Sequence, residues 1–272
     1  MSTVGPLLRQ WRERRRISQL DLAIGAEIST RHLSFVETGR ARPSREMVLR
    51  LAEHLDVPLR ERNRLLLAAG YAPAFGEREF GEPGLAVVRD AVRQVLAGHE
   101  PYPALVVDRC WNLVDANSGV ALLTEGVAPE LLVPPVNVLR LALRPDGVAS
   151  RVLNPGQWRA ELLGRLRRQV ETTADPEAAA LLAEVRDYPR PPAEAENPYG
   201  GGIFVPLRLR HGDAELSFFS TIATFGAPLE VTVSELAIES FYPADAATGD
   251  YLRRRAAEGG RIGDGATAPA TT

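Results

Sequence analysis

Thr30, Arg31 and Ser34, with His32 beside them, form a polar stripe at helical spacing opposite Leu33 and Val36. Hydroxyl, guanidinium and imidazole groups along one edge of a short helix suit hydrogen bonding to base edges in a duplex major groove about 12 Å wide. Gln19 adds a side-chain amide, Ser29 a hydroxyl, and Arg40, Arg42 and Arg45 fixed positive charge in the same stretch; groups of this kind hold phosphate oxygens. Covalent or metal chemistry lacks its parts. The chain has one cysteine, Cys110, and four scattered histidines, with no metal-ligand spacing, no phosphate-binding glycine loop and no nucleophile elbow. Neither enzymatic activity nor a cofactor is expected. Cys110 is expected to be buried, and Glu235 and Glu239, which would face alike on a strand, to be exposed to solvent.

The elements that must hold the stripe are legible around it. Leu7, Leu8 and Trp11 predict an amphipathic first helix that closes near Ile17. Ser18 followed by Asp21 is a capping-box pattern opening a short second helix that ends near Ala26. Ser29 caps a third helix to about Thr38, with Gly39 as a left-handed exit. Pro43 and Ser44 restart the chain into a fourth helix carrying Val48, Leu51, Ala52 and Leu55. Pro58 breaks that helix, and LRERNRLLLAAG makes a fifth. Five short helices with about two residues between the second and third is the helix-turn-helix arrangement. Its third helix would read the groove with Thr30, Arg31, His32 and Ser34, while Gln19, Ser29, Arg40, Arg42 and Arg45 meet the backbone.

Charge follows the same division. Of the 272 residues, 1–72 carry 13 Arg against 8 Asp and Glu, a net of +5, and the remainder carries 19 against 27, a net of −8. Only the front is basic, so a local field attracts phosphate while the acidic remainder discourages wrapping DNA over the whole surface. Every one of these cations is arginine, which genomic base composition also explains. No apolar run long enough to span a membrane occurs and the amino terminus lacks a signal-peptide core, so a cytoplasmic, non-membrane location is expected.

The segment SQLDLAIGAEISTRHLSFVETGRARPS resembles the helix-turn-helix of the Cro and lambda-repressor type, the xenobiotic-response-element family. The similarity lies in the Ser18-Gln19 opening, the Leu22-Ala23 pair, the Ser29 start and the Glu37-x-Gly39 exit followed by Pro43. It implies that Glu37 pairs with Arg12 or Arg16 rather than touching DNA. One departure stands out: Glu27 occupies the turn where the family has glycine, a position disfavouring any side chain if φ is positive. Helix-turn-helix pairs usually read two half-sites, so a homodimer on a near-palindromic double-stranded operator is expected.

Residues 72–84 are rich in glycine, proline and charge and predict a linker. From 85 to 256 the pattern is a helix, two short strands about Asp108-Arg109-Cys110, a helical stretch to about Tyr188, then three strands. Such an order matches a PAS-like α+β domain, an antiparallel sheet with helices on one face. PYPALVVDRCWNLVDAN, NVLRLALRPDG and STIATFGAPLEVTVSELAIESFYPADAAT resemble the MmyB-like ligand-binding domain. The overall fold expected is therefore an all-α five-helix domain over 1–71 and this second domain, with a disordered tail from 257 to 272. The resemblance implies a transcriptional regulator responding to a small apolar, fatty-acid-like effector. Trp111, Phe204, Phe218, Ile222 and Phe225 are candidates to line its site, with Arg140 or Arg144 to hold a carboxylate. Filled core explains the same apolar residues equally well. An alternative is an adaptor whose second domain binds protein.

Overall fold

A computed structural model of the chain describes residues 4–190 and 204–264. They divide into two compact units. The first holds the chain up to Glu82 together with Glu171–Thr173 and Gly226–Ser234; the second holds Pro83–Val170, Ala174–Phe225 and the chain from Glu235 onward.

Serine caps set out the first unit. α1 is Val4–Arg14, α2 Gln19–Gly25, α3 Thr30–Glu37, α4 Arg45–His54 and α5 Leu59–Ala68. Ser18, Ser29 and Ser44 accept hydrogen bonds from the backbone N–H of Asp21, His32 and Met47, so three helix starts satisfy a donor that would otherwise be orphaned. Leu8, Leu22, Leu33, Val36, Leu51, Leu55 and Leu66 fill the core between them. α1 lies so close to α3 that a side chain at Gly5 would meet the Val36 carbonyl oxygen at 2.2 Å. Glu27 takes φ 54 in the turn before α3, a left-handed conformation for a non-glycine residue, and Gly39 leaves α3 at φ 74. The turn keeps its shape despite the missing glycine because Ala26 and Ile28 donate backbone N–H groups into α2 on either side.

Residues 72–82 are tied to this unit rather than strung out as a free linker. Buried Asn63 accepts from the N–H groups of Ala74 and Phe75 and donates to the Phe75 carbonyl at 2.8 Å. Glu230 accepts from the Arg78 N–H at 2.6 Å. Composition marks these residues as loop-forming but carries no sign of such long-range anchors.

In the second unit, α6 (Ala86–Gly98) precedes β1 (Ala104–Val107) and β2 (Leu113–Ala116). Helices α7 (Val120–Thr124), α8 (Val138–Leu143), α9 (Pro155–Thr173) and α10 (Pro176–Arg186) follow. The chain then forms β3 (Leu207–His211) and β4 (Ala214–Ala223), passes through α11 (Val231–Ser234), which belongs to the first unit, and returns as β5 (Ala237–Pro243) and α12 (Ala246–Asp264). The sheet is antiparallel, ordered β2-β1-β5-β4-β3, so the last strand in sequence lies at its centre. This curled sheet flanked by helices is the PAS-like arrangement. Leu105, Val107, Leu207, Leu209, Phe218 and Phe241 meet α7 to α10 in one apolar core, while buried Val92 and Leu96 of α6 lie against β1. α12 runs to Asp264, past the boundary expected at 257. Residues 265–272 of the expected tail lie outside the described residues.

Candidate nucleic-acid interface and ligand cavity

α3 turns Leu33 and Val36 into the core and leaves its other edge outward. Arg31 is exposed, its guanidinium 5.4 Å from the centre of the Phe35 ring; Thr30, His32 and Ser34 are half-buried along the same edge. Ser29 is exposed and its oxygen caps the helix, leaving its O–H free to donate. Arg40 and Arg45 are exposed beyond the exit from α3 and at the start of α4. Among the described residues, no hydrogen bond or ion pair engages the guanidinium of Arg31, Arg40 or Arg45.

Two of the expected backbone-contacting side chains are partly committed to the fold. Glu37 accepts from Arg12 Nε at 2.7 Å and Arg12 Nη2 at 3.0 Å, and from Gln19 Nε2 at 2.7 Å. The hydrogen bond to Glu37 raises the Arg12 pKa. The partner of Glu37 is therefore Arg12; Arg16 sits exposed with φ 55. Gln19 consequently keeps one amide N–H and its oxygen uncommitted, a narrower offer to phosphate than a free side chain makes. Arg42 donates to the Ala69 carbonyl at the end of α5 (3.0 Å) and stacks 5.6 Å from the Tyr71 ring. These uses escape a local sequence argument because each partner is 18 or more residues away.

In the second unit, two adjoining cavities share Ala142 and Trp158 in their walls. The outer, about 410 Å³, is bounded by Leu143, Pro145, Val152 and Arg159 among others. The inner, about 60 Å³, is walled by Trp111, Leu139, Leu162, Leu207, Phe241 and Glu239 with further apolar groups. Trp111 was expected at such a site; its indole N–H donates to Gln169 Oε1 at 2.7 Å, which fixes the ring. Phe218 lies behind the wall, fully buried and edge-on to Phe241.

Phe204, Ile222 and Phe225 line neither cavity. Phe204, ahead of β3, is 54% exposed with its ring 5.6 Å from that of Phe219; Ile222 is 48% exposed on the part of β4 beyond Phe218, which has a strand on one side alone among the described residues. Alternation along β4 was readable, but the length of its neighbour was not.

The two arginines expected as carboxylate anchors are already paired. Arg140 makes a two-pronged contact with Glu184 (2.8 and 2.7 Å) and Arg144 one with Asp146 (2.9 and 2.7 Å), holding both acids below the usual carboxylate range. Neither arginine lines either of these two cavities.

Glu235 and Glu239 do not share an exposed face. Glu235 precedes β5 and lies 3.8 Å from Arg109, whereas Glu239 is buried beside Arg165 on the central strand. Cys110 is half-buried rather than buried; desolvation and its contact with Glu177 (Sγ to Oε2, 3.2 Å) push its thiol up to about 12. Sequence reading passed over Trp158, Arg159 and Phe241; Trp158 continues the Leu162–Leu166 stripe one turn back and was accessible by that spacing.

Among the described residues, no group of His, Cys, Asp and Glu is arranged to hold a metal ion, and no helix is long and apolar enough to cross a membrane. Residues 88–254 match the family model described as the MmyB-like transcription regulator ligand binding domain, and residues 4–65 match a helix-turn-helix domain model. No curated protein matches the chain.

Proposed function

The chain belongs to the MmyB-like transcription regulators, modules of regulation rather than catalysis, and from that premise we propose that it reads a specific operator with α3 and holds a small apolar effector in its second unit. The observation that carries the first part is the outward edge of α3, where Arg31 has an aromatic face beneath it and no carboxylate partner among the described residues. Thr30, Arg31 and Ser34 are assigned to base edges, with His32 beside them. Ser29, the remaining N–H of Gln19, Arg40 and Arg45 are assigned to phosphates, with Arg42 on the rim. A homodimer presenting two copies of α3 about one helical turn apart would favour a near-palindromic site.

Support for the effector is the pair of apolar cavities, whose outer chamber falls within the range of roughly 300–1,000 Å³ usual for ligand sites. Selection of bound fragments from random DNA, with salt titration, tests the first part: an enriched motif and a steep salt dependence are expected. Native mass spectrometry tests the second. A retained lipid-sized adduct supports effector binding, and a clean apo mass that no apolar compound shifts refutes it. Ligand and operator must also alter each other's affinity by equal factors if the two are coupled.

A further inference from the structure

Glu239 stands in the middle of the sheet, opposite Leu105 of β1 and Ile222 of β4, and is the one carboxylate on the wall of the inner cavity among the described residues. Its side chain is only 7% exposed. Oε1 accepts from Arg165 Nη1 at 2.7 Å, while no hydrogen bond among the described residues reaches Oε2. Side-chain oxygens and nitrogens without accessible surface all have partners among the described residues, so the unpartnered Oε2 keeps accessible surface, and the inner cavity is a surface that this side chain lines.

Arg165 is fastened on several sides. Nε donates to Glu161 at 2.9 Å, Nη2 to Ser220 Oγ at 3.2 Å, and the guanidinium lies 5.9 Å from the centre of the Trp158 ring. Swinging it into the cavity to receive an anion would break all of these contacts. Its charge is already answered by Glu239 and by Glu161, which Arg168 also approaches at 3.7 Å. A ligand carboxylate beside Oε2 would therefore meet the Glu239 anion at close range with the nearby cations already paired, in an apolar enclosure where burial of an unpaired anion is most costly. An ammonium group would gain attraction but lose its hydration among apolar walls. A neutral hydroxyl meets neither penalty and supplies the donor that Oε2 lacks.

We propose that Glu239 Oε2 is the polar anchor of the effector site and that the ligand enters hydroxyl-first, as an apolar alcohol whose skeleton extends into the outer cavity. This rests on the assignment of the cavities as the effector site. It assigns the end of the ligand that the inner chamber selects: an alcohol donor, not a carboxylate.

The test uses the full-length, delipidated protein and three probes of equal chain length, 1-decanol, decyl methyl ether and decanoate, titrated calorimetrically at a pH where decanoate is ionised. Decanol is expected to bind roughly tenfold or more tightly than either of the others, the margin set by a hydrogen bond to a charged acceptor. In a double variant, Glu239→Leu with Arg165→Met, which removes both charges together, the ether should still bind and the preference for the alcohol should vanish. Tightest binding by decanoate overturns the proposal, as does an alcohol preference that survives in the double variant; in both cases the cavity remains an effector site. Should none of the three bind the wild-type protein, the effector site itself is refuted along with its anchor.

Discussion

Replacing Glu37 by alanine tests how the recognition helix is held. The carboxylate is 1% exposed and Arg12 11% exposed, so the variant leaves a guanidinium out of water with the Ile17 carbonyl at 3.0 Å as its remaining partner, and Gln19 loses its acceptor as well. Removing one member of a buried pair costs about 3–5 kcal/mol, a large share of the roughly 4–12 kcal/mol expected for a unit of this size. At 1.4 kcal/mol per tenfold, amide protection in α1 and α3 should fall by about a hundredfold or more wherever exchange follows opening of the unit. Hydrogen exchange read by mass spectrometry on peptides from residues 4–70 measures this locally, apart from the second unit. The paired replacement Arg12→Met with Glu37→Leu removes both charges and should recover most of the protection. A change below about tenfold in Glu37→Ala, or a double variant as open as the single one, would refute the assignment of Glu37 as the buried brace of α3.

Three further outcomes are expected. Arg31→Ala should cost about 1–3 kcal/mol on the specific operator and relax one base position, while Arg40→Ala and Arg45→Ala weaken all sequences alike and each lower the salt slope by about 1; selected-fragment sequencing and salt titration distinguish the two behaviours. Glu27→Gly should raise stability by up to about 1 kcal/mol in urea denaturation, the relief of left-handed strain being partly offset by greater freedom of the unfolded chain. Cys110, with its thiol pushed up to about 12, should resist alkylation at neutral and mildly alkaline pH in the native protein and react readily once unfolded, as intact mass will show. Because its folded pKa lies above the unfolded one, the associated stabilisation is present below the unfolded value and is lost as pH rises through the folded one.

Local chemistry was the legible part. Ser18, Ser29 and Ser44 announce three helix starts because a cap acts on an N–H three residues ahead, and alternation along 207–211 and 214–223 announces a hairpin because side chains on a strand change face at every step. Illegible features depend on partners far along the chain. Arg140 looks like an anion anchor until α10 brings Glu184 to it, 44 residues on. Glu239 looks like surface charge until α9 brings Arg165 beside the central strand, and Ile222 looks like a lining residue until the short reach of β3 leaves it uncovered. Periodicity specifies which face a residue takes; whether that face meets core, cavity or solvent depends on the lengths and packing of elements elsewhere.

Arginine content shows why that distinction matters for function. The basic front carries its charge on 13 arginines, and composition treats them as equivalent. Folding does not. Arg9, Arg12 and Arg64 face carboxylates, and Arg15, Arg42 and Arg62 donate to carbonyls of Leu55, Ala69 and Val57 at or near helix ends. C-terminal helix ends carry partial negative charge, so Arg15 and Arg42, at the ends of α4 and α5, strengthen those helices while losing part of their capacity to attract a polyanion. Arg16, Arg31, Arg40, Arg45 and Arg50 have no such partner among the described residues, and three of the five, Arg31, Arg40 and Arg45, fall between the start of α3 and the start of α4. Most of the unpaired charge therefore lies around the helix whose edge carries Thr30 and Ser34, which is where phosphate contacts must lie if they are to set the register of base contacts.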